Sequence, residues 1–505
     1  MSIFIILGIP VLLAVGVFFV RRERILGIIN CLGYFTVLCA SIALFKGTVF
    51  AGHIEAFSNF IYLDLLSVVF IVIISVVAFV AALYSIGYIR KDIDQKIISV
   101  KKARFYYLLF NLFCFSMFLV PAVNNLGMLW VAIEMTTLIS AFLVGFYNSK
   151  ESVEAAWKYI IICSVGIIFA LLGTILFSYA FSHSGLTKSL NWSDMAPVAH
   201  ILDKNILKIA FIFILVGYGT KAGLAPMHTW LPDAHSQAVA PISALLSGVL
   251  LKTAVYAILR FGIIIIKSVG FAYFAHLMIL FGAISLVISS GFILVQKDLK
   301  RLLAYSSIEH IGIISIGFGL GSPLAIAGAI LHVFNHAVTK SLMFFGAGNI
   351  VSAYKKHNMN AIRGVIKVLP FTGIVVLLGM FALTGFPPFS IFISELMIII
   401  AAFTNGSYFI AGLLLIFLAI IFGAFIYHFS KMLFSNLPKG MATQGEPLSG
   451  KLTFIFLFFL ICGLGIVLVF KNKDLLWLAQ RLLQGQKQFF RILTRFPSAS
   501  LMAMK

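Results

Sequence analysis

The chain contains few charged residues. Only 10% of its 505 residues are Asp, Glu, Lys or Arg, whereas 62% are hydrophobic. A soluble domain usually carries about 25% charged residues, so this composition excludes a soluble protein and predicts a polytopic membrane protein. The net charge is +21, but the basic residues lie in short loops between apolar segments. They form no basic stripe on a soluble face, and nucleic-acid binding is therefore not expected.

Motifs for cofactors are missing as well. The five cysteines lie singly in apolar segments and form no CxxC pair, which argues against an iron–sulfur cluster or a disulfide framework in this chain. No Walker A sequence is present, so we do not expect ATP to drive the protein directly. GFGLGS at 317–322 follows no predicted strand, and nucleotide binding there is not expected. The sequence thus predicts a chain that binds neither a cofactor nor a metal.

Apolar runs dominate what is present. Runs of about 20 residues, the length that crosses a bilayer, indicate an all-α membrane protein with about fourteen transmembrane helices. The predicted spans lie near residues 2–20, 25–45, 60–89, 105–121, 126–146, 157–181, 206–236, 238–263, 269–294, 300–320, 324–346, 368–404, 407–430 and 451–470. The first run is predicted to be retained as a helix, because no small-residue cleavage site follows it.

Two of the predicted spans contain internal proline and glycine. GLAP at 223–226 interrupts the seventh span, and TGFPPF at 384–389 interrupts the twelfth. Non-helical backbone at membrane depth survives only where protein or a water-filled cavity satisfies its polar groups. The breaks lie five spans apart, and an odd offset places them in opposite orientations, so we predict two inverted repeats. The predicted divisions are residues 1–104 with helices 1–3, 105–262 as the first repeat, 269–430 as the second repeat, 451–470 as the last span and 471–505 as a tail.

The distribution of Lys and Arg predicts an orientation. Loops after the first, third, ninth and eleventh spans carry the basic residues, and the positive-inside rule makes such loops cytoplasmic. The N-terminus is then outside. The tail at 471–505 is basic although fourteen spans place it outside, so either it breaks the charge rule or the span count is off by one. We interpret it as an amphipathic helix at an interface or against a partner.

Three ionisable residues lie deep in the predicted spans, where a charge costs roughly 3 kcal/mol or more. Glu134 is a lone carboxylate in the fifth span, and Lys221 and Lys252 lie in the seventh and eighth. A carboxylate strengthens proton binding by a buried lysine, so moving either partner loads or releases a proton. We therefore expect Glu134 to pair with Lys221; a purely structural acid is the alternative. Lys252 lies too deep to reach the interface, and we interpret it as a central relay.

The eleventh span carries a row of titratable residues. His332, His336 and Lys340 follow at four-residue intervals in LHVFNHAVTKSLMFF, which places them on one helix face. Three such groups along a span predict a proton path. The two histidines also have the spacing of a zinc-binding helix, but the glutamate of HExxH and an obvious third ligand are missing. Metal binding is therefore the weaker alternative.

Five further residues are predicted accessory sites. His228, Asp233 and His235 lie near the first break, where an imidazole either passes a proton or caps broken backbone. Glu309 and His310 lie inside the tenth span. Their depth favours a part in ion transfer.

Two motifs resemble a known family. KAGLAPMHTWLPDAHSQAVAPISALLSGVLLK at 221–252 resembles a signature of the proton-translocating, antiporter-like subunits of respiratory complex I, Mrp-type cation/proton antiporters and membrane-bound [NiFe] hydrogenases. SSIEHIG at 306–312 is similar to the hydrogenase-4 component F and formate hydrogenlyase type, because complex I subunits usually carry other residues where Glu309 and His310 stand. The resemblance covers about residues 60–430. It implies a fourteen-helix subunit with a proton path through its middle.

The resemblance also implies an order for the path and a set of partners. From the first group to the last, the implied path is Glu134, Lys221, Lys252, His332, His336, Lys340 and Glu395. For Glu395 the alternative is a helix-terminal acid at an interface. Iron–sulfur clusters and a [NiFe] centre are implied in partner subunits, with a peripheral hydrogenase or dehydrogenase arm and further subunits in the cytoplasmic (inner) membrane. An Mrp-type antiporter subunit without a redox arm is the alternative, because it uses the same buried groups.

Overall fold

A computed structural model of the protein describes residues 2–20, 22–184, 189–437 and 441–470, with side chains up to residue 463. The helices are, in chain order, α1 (Ser2–Gly16), α2 (Glu23–Ala51), α3 (Leu65–Asp94), α4 (Val100–Ala122), α5 (Leu126–Val144), α6 (Lys150–His183), α7 (Trp192–Met195), α8 (Lys204–Ala222), α9 (Trp230–Gln237), α10 (Ala240–Leu245), α11 (Leu251–Ser268), α12 (Phe271–Val295), α13 (Leu299–Leu320), α14 (Pro323–Tyr354), α15 (Val365–Val368), α16 (Pro370–Leu383), α17 (Ser390–Thr404), α18 (Tyr408–Phe434) and α19 (Leu448–Phe470). The predicted tail at 471–505 lies outside the described residues.

These helices confirm an all-α membrane protein. Within the described ranges, ten helical segments are long and apolar enough to cross a membrane, and four shorter apolar helices, α1, α16, α17 and α19, accompany them. The helix α14 has 32 residues and thus the length of a span as well, and its polar residues distinguish it from the ten apolar segments. Each predicted span coincides with one helix or with two helices joined across an irregular segment. The division into inverted repeats stays a prediction.

The third span begins later than predicted. Residues His53–Ala56 and Ile61–Asp64 form the antiparallel strands β1 and β2, with His53 opposite Asp64. The side chain of Asp64 then accepts a hydrogen bond from the backbone N–H of Ser67 at 2.9 Å and caps α3. A capped helix starts at its cap because the side chain satisfies a free N–H group there. The apolar residues before Asp64 therefore lie in a hairpin, and the helix starts at Leu65.

The first break separates α8 from α9. Gly223 ends α8 with a left-handed backbone, φ 81°, which favours glycine. The carbonyl of Thr220 accepts a hydrogen bond from the indole of Trp230 at 2.8 Å. The N–H of Ala225 donates to the hydroxyl of Ser285 at 2.9 Å. Protein groups thus satisfy the backbone of this break, as the absence of water at membrane depth requires.

The second break separates α16 from α17. Gly385 has a left-handed backbone, φ 64°, and Phe386 donates its N–H back to the carbonyl of Phe381 at 3.0 Å. Residues 386–388 are exposed on the surface of the chain. On the other side of the break, the carbonyl of Ser390 accepts a hydrogen bond from the side-chain amide of Asn335 on α14 at 2.7 Å. The break is therefore tied to α14 at one end and exposed in its middle.

Two features place polar groups at the centre. The π turn Leu246–Leu250 joins α10 to α11 immediately before Lys252, and such turns free backbone groups and often mark functional sites. Apart from Arg301 near its start, the helix α13 is buried along its length. Its other polar side chains are therefore surrounded by protein, and α14 and α17 pack beside it.

Candidate functional site

Lys221 lies on the last turn of α8, directly before the first break, and is fully buried. Its ammonium group donates hydrogen bonds to the hydroxyls of Thr137 at 2.8 Å and Tyr159 at 2.5 Å. The Tyr159 hydroxyl also shares a hydrogen bond with Ser140 at 2.7 Å. Hydroxyl groups from α5 and α6 thus hold this lysine. Nothing in the sequence had singled them out, because serine, threonine and tyrosine are unremarkable in a span.

Glu134 lies on α5, one turn before Thr137. Its Oε1 atom accepts a hydrogen bond from the hydroxyl of Ser164 at 3.1 Å. Its Oε2 atom is buried and has no hydrogen-bond partner among the described residues. The ion pairs in the described part of the chain do not include Glu134 with Lys221. Among the described residues, no hydrogen bond or ion pair therefore joins Glu134 directly to Lys221, and Thr137, one turn further along α5, is the residue that contacts the lysine.

Lys252 lies on the first turn of α11, buried to 1% exposure. Its ammonium group donates to the carbonyl of Ser247 in the π turn and is hydrogen-bonded to Nδ1 of His336 on α14. The hydroxyls of Ser247 and Ser307 are 2.7 Å apart and link the same turn to α13. Lys252 therefore joins the π turn to α14, and Ser247 joins the same turn to α13.

A row of imidazoles continues from His336. Its ring centroid is 4.6 Å from that of His310 on α13. Nδ1 of His310 lies 2.9 Å from Nε2 of His332, whose Nδ1 lies 2.9 Å from the hydroxyl of Ser394 on α17. Ligand atoms of His310, His332 and the next residue, Glu395, all lie within 4.8 Å of one another. Buried titratable groups thus follow one another from α11 to α17, and we call His336, His310, His332 and Glu395 the histidine row.

His310 lies inside the histidine row, although the sequence places it among the accessory residues. In the sequence it stands apart from the spaced histidines of α14, because it belongs to another helix. The packing of α13 against α14 places it between His336 and His332. In the sequence, its depth in the tenth span and the SSIEHIG motif indicated a role. Its neighbour Glu309 is buried as well.

Lys340 is hydrogen-bonded to α13 and not to a member of the histidine row. Its ammonium group donates to the carbonyl of Leu303 at 2.7 Å and to the hydroxyl of Ser306, both on α13. Glu309, one turn further along α13, is its electrostatic neighbour. Lys340 is therefore fixed beside the row, and a carboxyl group lies close enough to influence its charge.

The accessory residues near the first break have two different environments. Asp233 forms ion pairs with Arg301 and with Lys158, the latter at 3.5 Å, and both cations are more than 40% exposed. His235 is fully buried and stacks on Phe344, with ring centroids 4.9 Å apart. Neither ring nitrogen of His235 has a hydrogen-bond partner among the described residues. Asp233 is thus a surface ion-pair residue, and His235 is a buried titratable group.

His228 belongs to the break itself. It lies between α8 and α9, 6% exposed, and its Nδ1 atom has no hydrogen-bond partner in the described part of the chain. Its ring centroid is 6.4 Å from that of Tyr305 on α13. It contacts neither the Lys221 cluster nor the histidine row through a hydrogen bond.

The groups around Lys221 and those around Lys252 are separate. No hydrogen bond between described residues joins the two clusters. Gly223, which follows Lys221 by two residues, packs against Leu231, and Leu251 lies close by. Aliphatic contacts therefore occupy the region next to the first break. Contacts between buried ionisable groups thus follow one another from Lys252 to Glu395, and no hydrogen bond between described residues continues them from Lys252 to Lys221.

A buried ion pair escaped the sequence reasoning. Arg260 on α11 holds Asp64 through two hydrogen bonds of 2.6 and 2.7 Å. Its guanidinium also donates to the hydroxyls of Ser67 and Tyr256 and lies over the ring of Trp192 at 4.4 Å. Arginine with a two-pronged carboxylate partner is fully satisfied. The pair therefore ties the β hairpin and α3 to α11 and does not offer a free titratable group.

The fold and the buried groups define a class, a polytopic membrane protein with ionisable residues arranged in its interior. The family described as "NADH:quinone oxidoreductase/Mrp antiporter, TM" matches residues 123–423, and "NADH-Ubiquinone oxidoreductase (complex I), chain 5 N-terminus" matches residues 56–106. The chain belongs to this NADH:quinone oxidoreductase/Mrp antiporter family. The family expected from the motifs at 221–252 and 306–312 is thereby confirmed.

Relatives and solved structures agree with this family. A hydrogenase-4 component F homolog from Methylacidiphilum infernorum is 40% identical over 350 residues, which cover 69% of this chain and 73% of that protein. Hydrogenase-4 component B from Escherichia coli is 32% identical, with 66% of this chain and 49% of that protein covered. A chain of the archaeal membrane-bound sulfane sulfur reductase has a TM-score of 0.84 at 23% identity, covering 97% of this chain and 99% of that one. A chain of the Mrp complex from Dietzia sp. reaches 0.83 at 18% identity, covering 97% and 99%. The protein is therefore a membrane-embedded, ion-translocating subunit of the kind found in multi-subunit complexes.

Proposed function

We propose that this chain moves protons across a cytoplasmic (inner) membrane as a subunit of a hydrogenase-type redox complex. The observation that carries the proposal is the contact sequence from Lys252 through His336, His310 and His332 to Glu395. Every member is buried. A scaffold has no use for such a row, because desolvated ionisable groups cost free energy that a purely apolar packing avoids.

Imidazoles suit this task because each ring has two nitrogens. One nitrogen accepts a proton while the other donates one, and the ring titrates near neutral pH in water. His332 is bonded through both nitrogens, to His310 on one side and to Ser394 on the other. A proton that reaches His310 therefore has a neighbour to move to. Lys252 lies next to the first member of the row and Glu395 is the last member, so a basic group and an acidic group stand at the two ends.

Glu395 is the proposed point of release. The backbone of Gly385 in the second break lies against its carboxylate, so closely that a side chain at Gly385 would contact Oε2. The residues that follow Gly385 are exposed. The row therefore ends beneath an exposed, irregular segment, which suits transfer to a group or water outside this chain.

Glu134 and Lys221 form the proposed point of uptake. Lys221 lies beside the first break and is hydrogen-bonded to Thr137. Glu134 lies one helical turn before Thr137 on α5. The interruption between Lys221 and Lys252 then has a function, because a continuous wire would let protons flow back. Partner subunits drive uptake and release by rearranging this interrupted region. With the basic loops in the cytoplasm, the N-terminus lies outside.

The assembly is proposed from the relatives. The two reported relatives are named as hydrogenase-4 components, at 40% and 32% identity. We therefore assign to partner subunits a peripheral arm with iron–sulfur clusters and a [NiFe] centre. Purification of the intact assembly from native membranes tests this assignment. A companion hydrogenase large subunit supports it, whereas cation/proton exchange by an assembly without redox subunits favours the Mrp-type alternative.

Lys252→Met tests the path itself. Methionine keeps the length of the side chain and removes its charge, so packing is preserved. We expect redox-driven proton movement in membrane vesicles to fall about a hundredfold, the usual effect of losing a proton-transfer group. Lys431→Gln is the matched control, because this lysine is exposed on α18. Equal proton movement in Lys252→Met and the control, at equal amounts of assembled complex, removes Lys252 from the path.

A further inference from the structure

Three side chains of the histidine row are arranged as a triangle, and a proton path does not require this arrangement. His310, His332 and Glu395 come from three different helices, α13, α14 and α17, and each is buried. One ligand atom of each lies within 4.8 Å of the ligand atoms of the other two. A proton relay needs only neighbours that follow one another along a path. A triangle of two imidazoles and a carboxylate is instead a set of ligands that could hold a metal ion.

One ligand atom of this triangle lacks a partner. Oε1 of Glu395 is buried and makes no hydrogen bond with any described residue. An unsatisfied buried polar atom costs about 1–3 kcal/mol, so such atoms usually have a partner that compensates this cost. Imidazole nitrogen and carboxylate oxygen are both good ligands of divalent transition metals.

The donor set indicates the class of ion. Two histidines and one glutamate are the ligands of open zinc sites, which keep a further position for water. No sulfur is present in the triangle, and soft ions such as Cu⁺ are therefore disfavoured. The hydroxyl of Ser394 is hydrogen-bonded to Nδ1 of His332. This contact fixes the orientation of the ring and leaves Nε2 facing His310, as second-sphere partners do in metal sites.

We propose that His310, His332 and Glu395 bind a zinc-like divalent cation and that the bound ion blocks proton transfer. The ion replaces the hydrogen bond between His310 and His332, which is the link between the two halves of the row. Glu395 neutralises one of its two charges. The blocking effect rests on the proposed proton path, whereas the binding does not.

His336 is not part of the site. Its Nδ1 atom is occupied by Lys252, and it stands outside the triangle although it follows His332 by one turn of α14. His332 and His336 have the spacing of a zinc-binding helix in the sequence. In the structure, His332 belongs to the triangle, whereas His336 is hydrogen-bonded to Lys252. An ion reaches the triangle through the second break, because Gly385 of that break lies against Glu395.

Zinc binding to the purified full-length chain in detergent tests the site. After treatment with a chelator, the protein is dialysed against Zn²⁺, and the bound zinc per chain is measured. We expect one zinc per chain with nitrogen and oxygen ligands in its X-ray absorption spectrum. Glu395→Gln and His310→Gln are each expected to weaken zinc binding about tenfold or more, because even outer-sphere changes have effects of that size.

His336→Gln is the matched control, because it removes a neighbouring buried histidine and is expected to leave zinc affinity unchanged. Size-exclusion chromatography and helical content check that each variant is folded. Absence of stoichiometric zinc from the wild-type chain overturns the proposal without any variant. Equal affinity in the wild type and both Gln variants of the triangle also overturns it. An equally large loss in His336→Gln moves the site to His332 and His336 and contradicts the triangle.

Transport measurements separate this proposal from the proposed function. In vesicles that contain the assembled complex, we expect Zn²⁺ to stop redox-driven proton movement and a chelator to restore it. Zinc that binds at the triangle without slowing proton movement contradicts the blocking effect. If no redox-driven proton movement exists while one zinc still binds per chain, the proposed function fails and the metal site stands.

Discussion

The two buried lysines are held in different ways. Lys221 is bonded to the hydroxyls of Thr137 and Tyr159, whereas Lys252 is bonded to His336, the first of three imidazoles. A hydroxyl group orients a proton and stays neutral, whereas the two nitrogens of an imidazole let a proton enter on one side and leave on the other. In the proposed path, the Lys221 cluster therefore holds a proton, and Lys252 with the histidine row passes one along.

Both breaks reach the surface of the chain. Pro226 in the first break and Phe386 in the second are exposed, although Leu224 and Ala225 beside Pro226 are fully buried. The N–H of Ala225 donates a hydrogen bond to the hydroxyl of Ser285 on α12, which holds the first break in place. Each end of the proposed path therefore lies beside an exposed segment, and different groups serve uptake and release.

The largest test of this comparison concerns Lys221. If the Lys221 cluster and the Lys252 cluster act in series, we expect Lys221→Met to lower the rate of redox-driven proton movement about a hundredfold, as Lys252→Met does. The double variant then loses no more than either single one, because a series path is already closed. Initial rates of vesicle acidification, scaled to assembled complex, give the answer. Additive losses in the double variant mean that the two lysine clusters belong to separate paths, and they contradict the series arrangement.

A smaller effect is expected within the histidine row. His332→Gln keeps hydrogen-bonding capacity toward His310 and Ser394 but cannot take up charge. We expect proton movement to fall about tenfold, less than for Lys252→Met, because water is able to replace one imidazole in a row whose other members remain. Deuterium solvent should slow this variant more than the wild type. A loss as large as that of Lys252→Met shows that His332 has no bypass.

Much of the fold was accessible from the sequence, and the site only partly. Span positions follow from the length and apolarity of local segments, and the breaks follow from Gly223 and the Gly-Phe-Pro-Pro run. A charge at membrane depth singles out Lys221 and Lys252 without any structure. These signals are local, and a single sequence is enough to read them.

The partners of the buried groups are not local. Tyr159 and Ser394 become important only because helices far apart in the chain pack side by side. His310 lies between His332 and His336 for the same reason. A direct pair of Glu134 with Lys221 was expected from charge alone, yet α5 turns Thr137 to the lysine and Glu134 to Ser164. Which face of a helix meets which neighbour is set by packing, and no periodicity along one span contains that information.

A moderate effect is expected at the hydroxyl groups that hold Lys221. Tyr159→Phe removes one of the two hydroxyls that hold Lys221 and leaves the ring in place. A hydrogen bond to a charged group contributes about 1.5–3 kcal/mol, so we expect a lower unfolding temperature and a severalfold fall in proton movement. Cys163→Ala is the control, because it changes the same face of α6 without a hydrogen bond to Lys221. Unchanged transport in Tyr159→Phe shows that Thr137 alone positions the lysine.

The smallest effect is expected at Asp233, although the sequence places it among the candidate sites. Its carboxylate pairs with Arg301 and Lys158, which are both substantially exposed, and exposed ion pairs contribute little because water and salt screen them. Asp233→Asn should therefore change proton movement by less than about twofold. The same measurement with His235→Gln sharpens the contrast, because His235 is equally close to the first break but fully buried with two unpaired nitrogens. If Asp233→Asn loses much proton movement and His235→Gln loses little, Asp233 and not His235 belongs to the path. Proton uptake would then begin at the ion pairs on the surface.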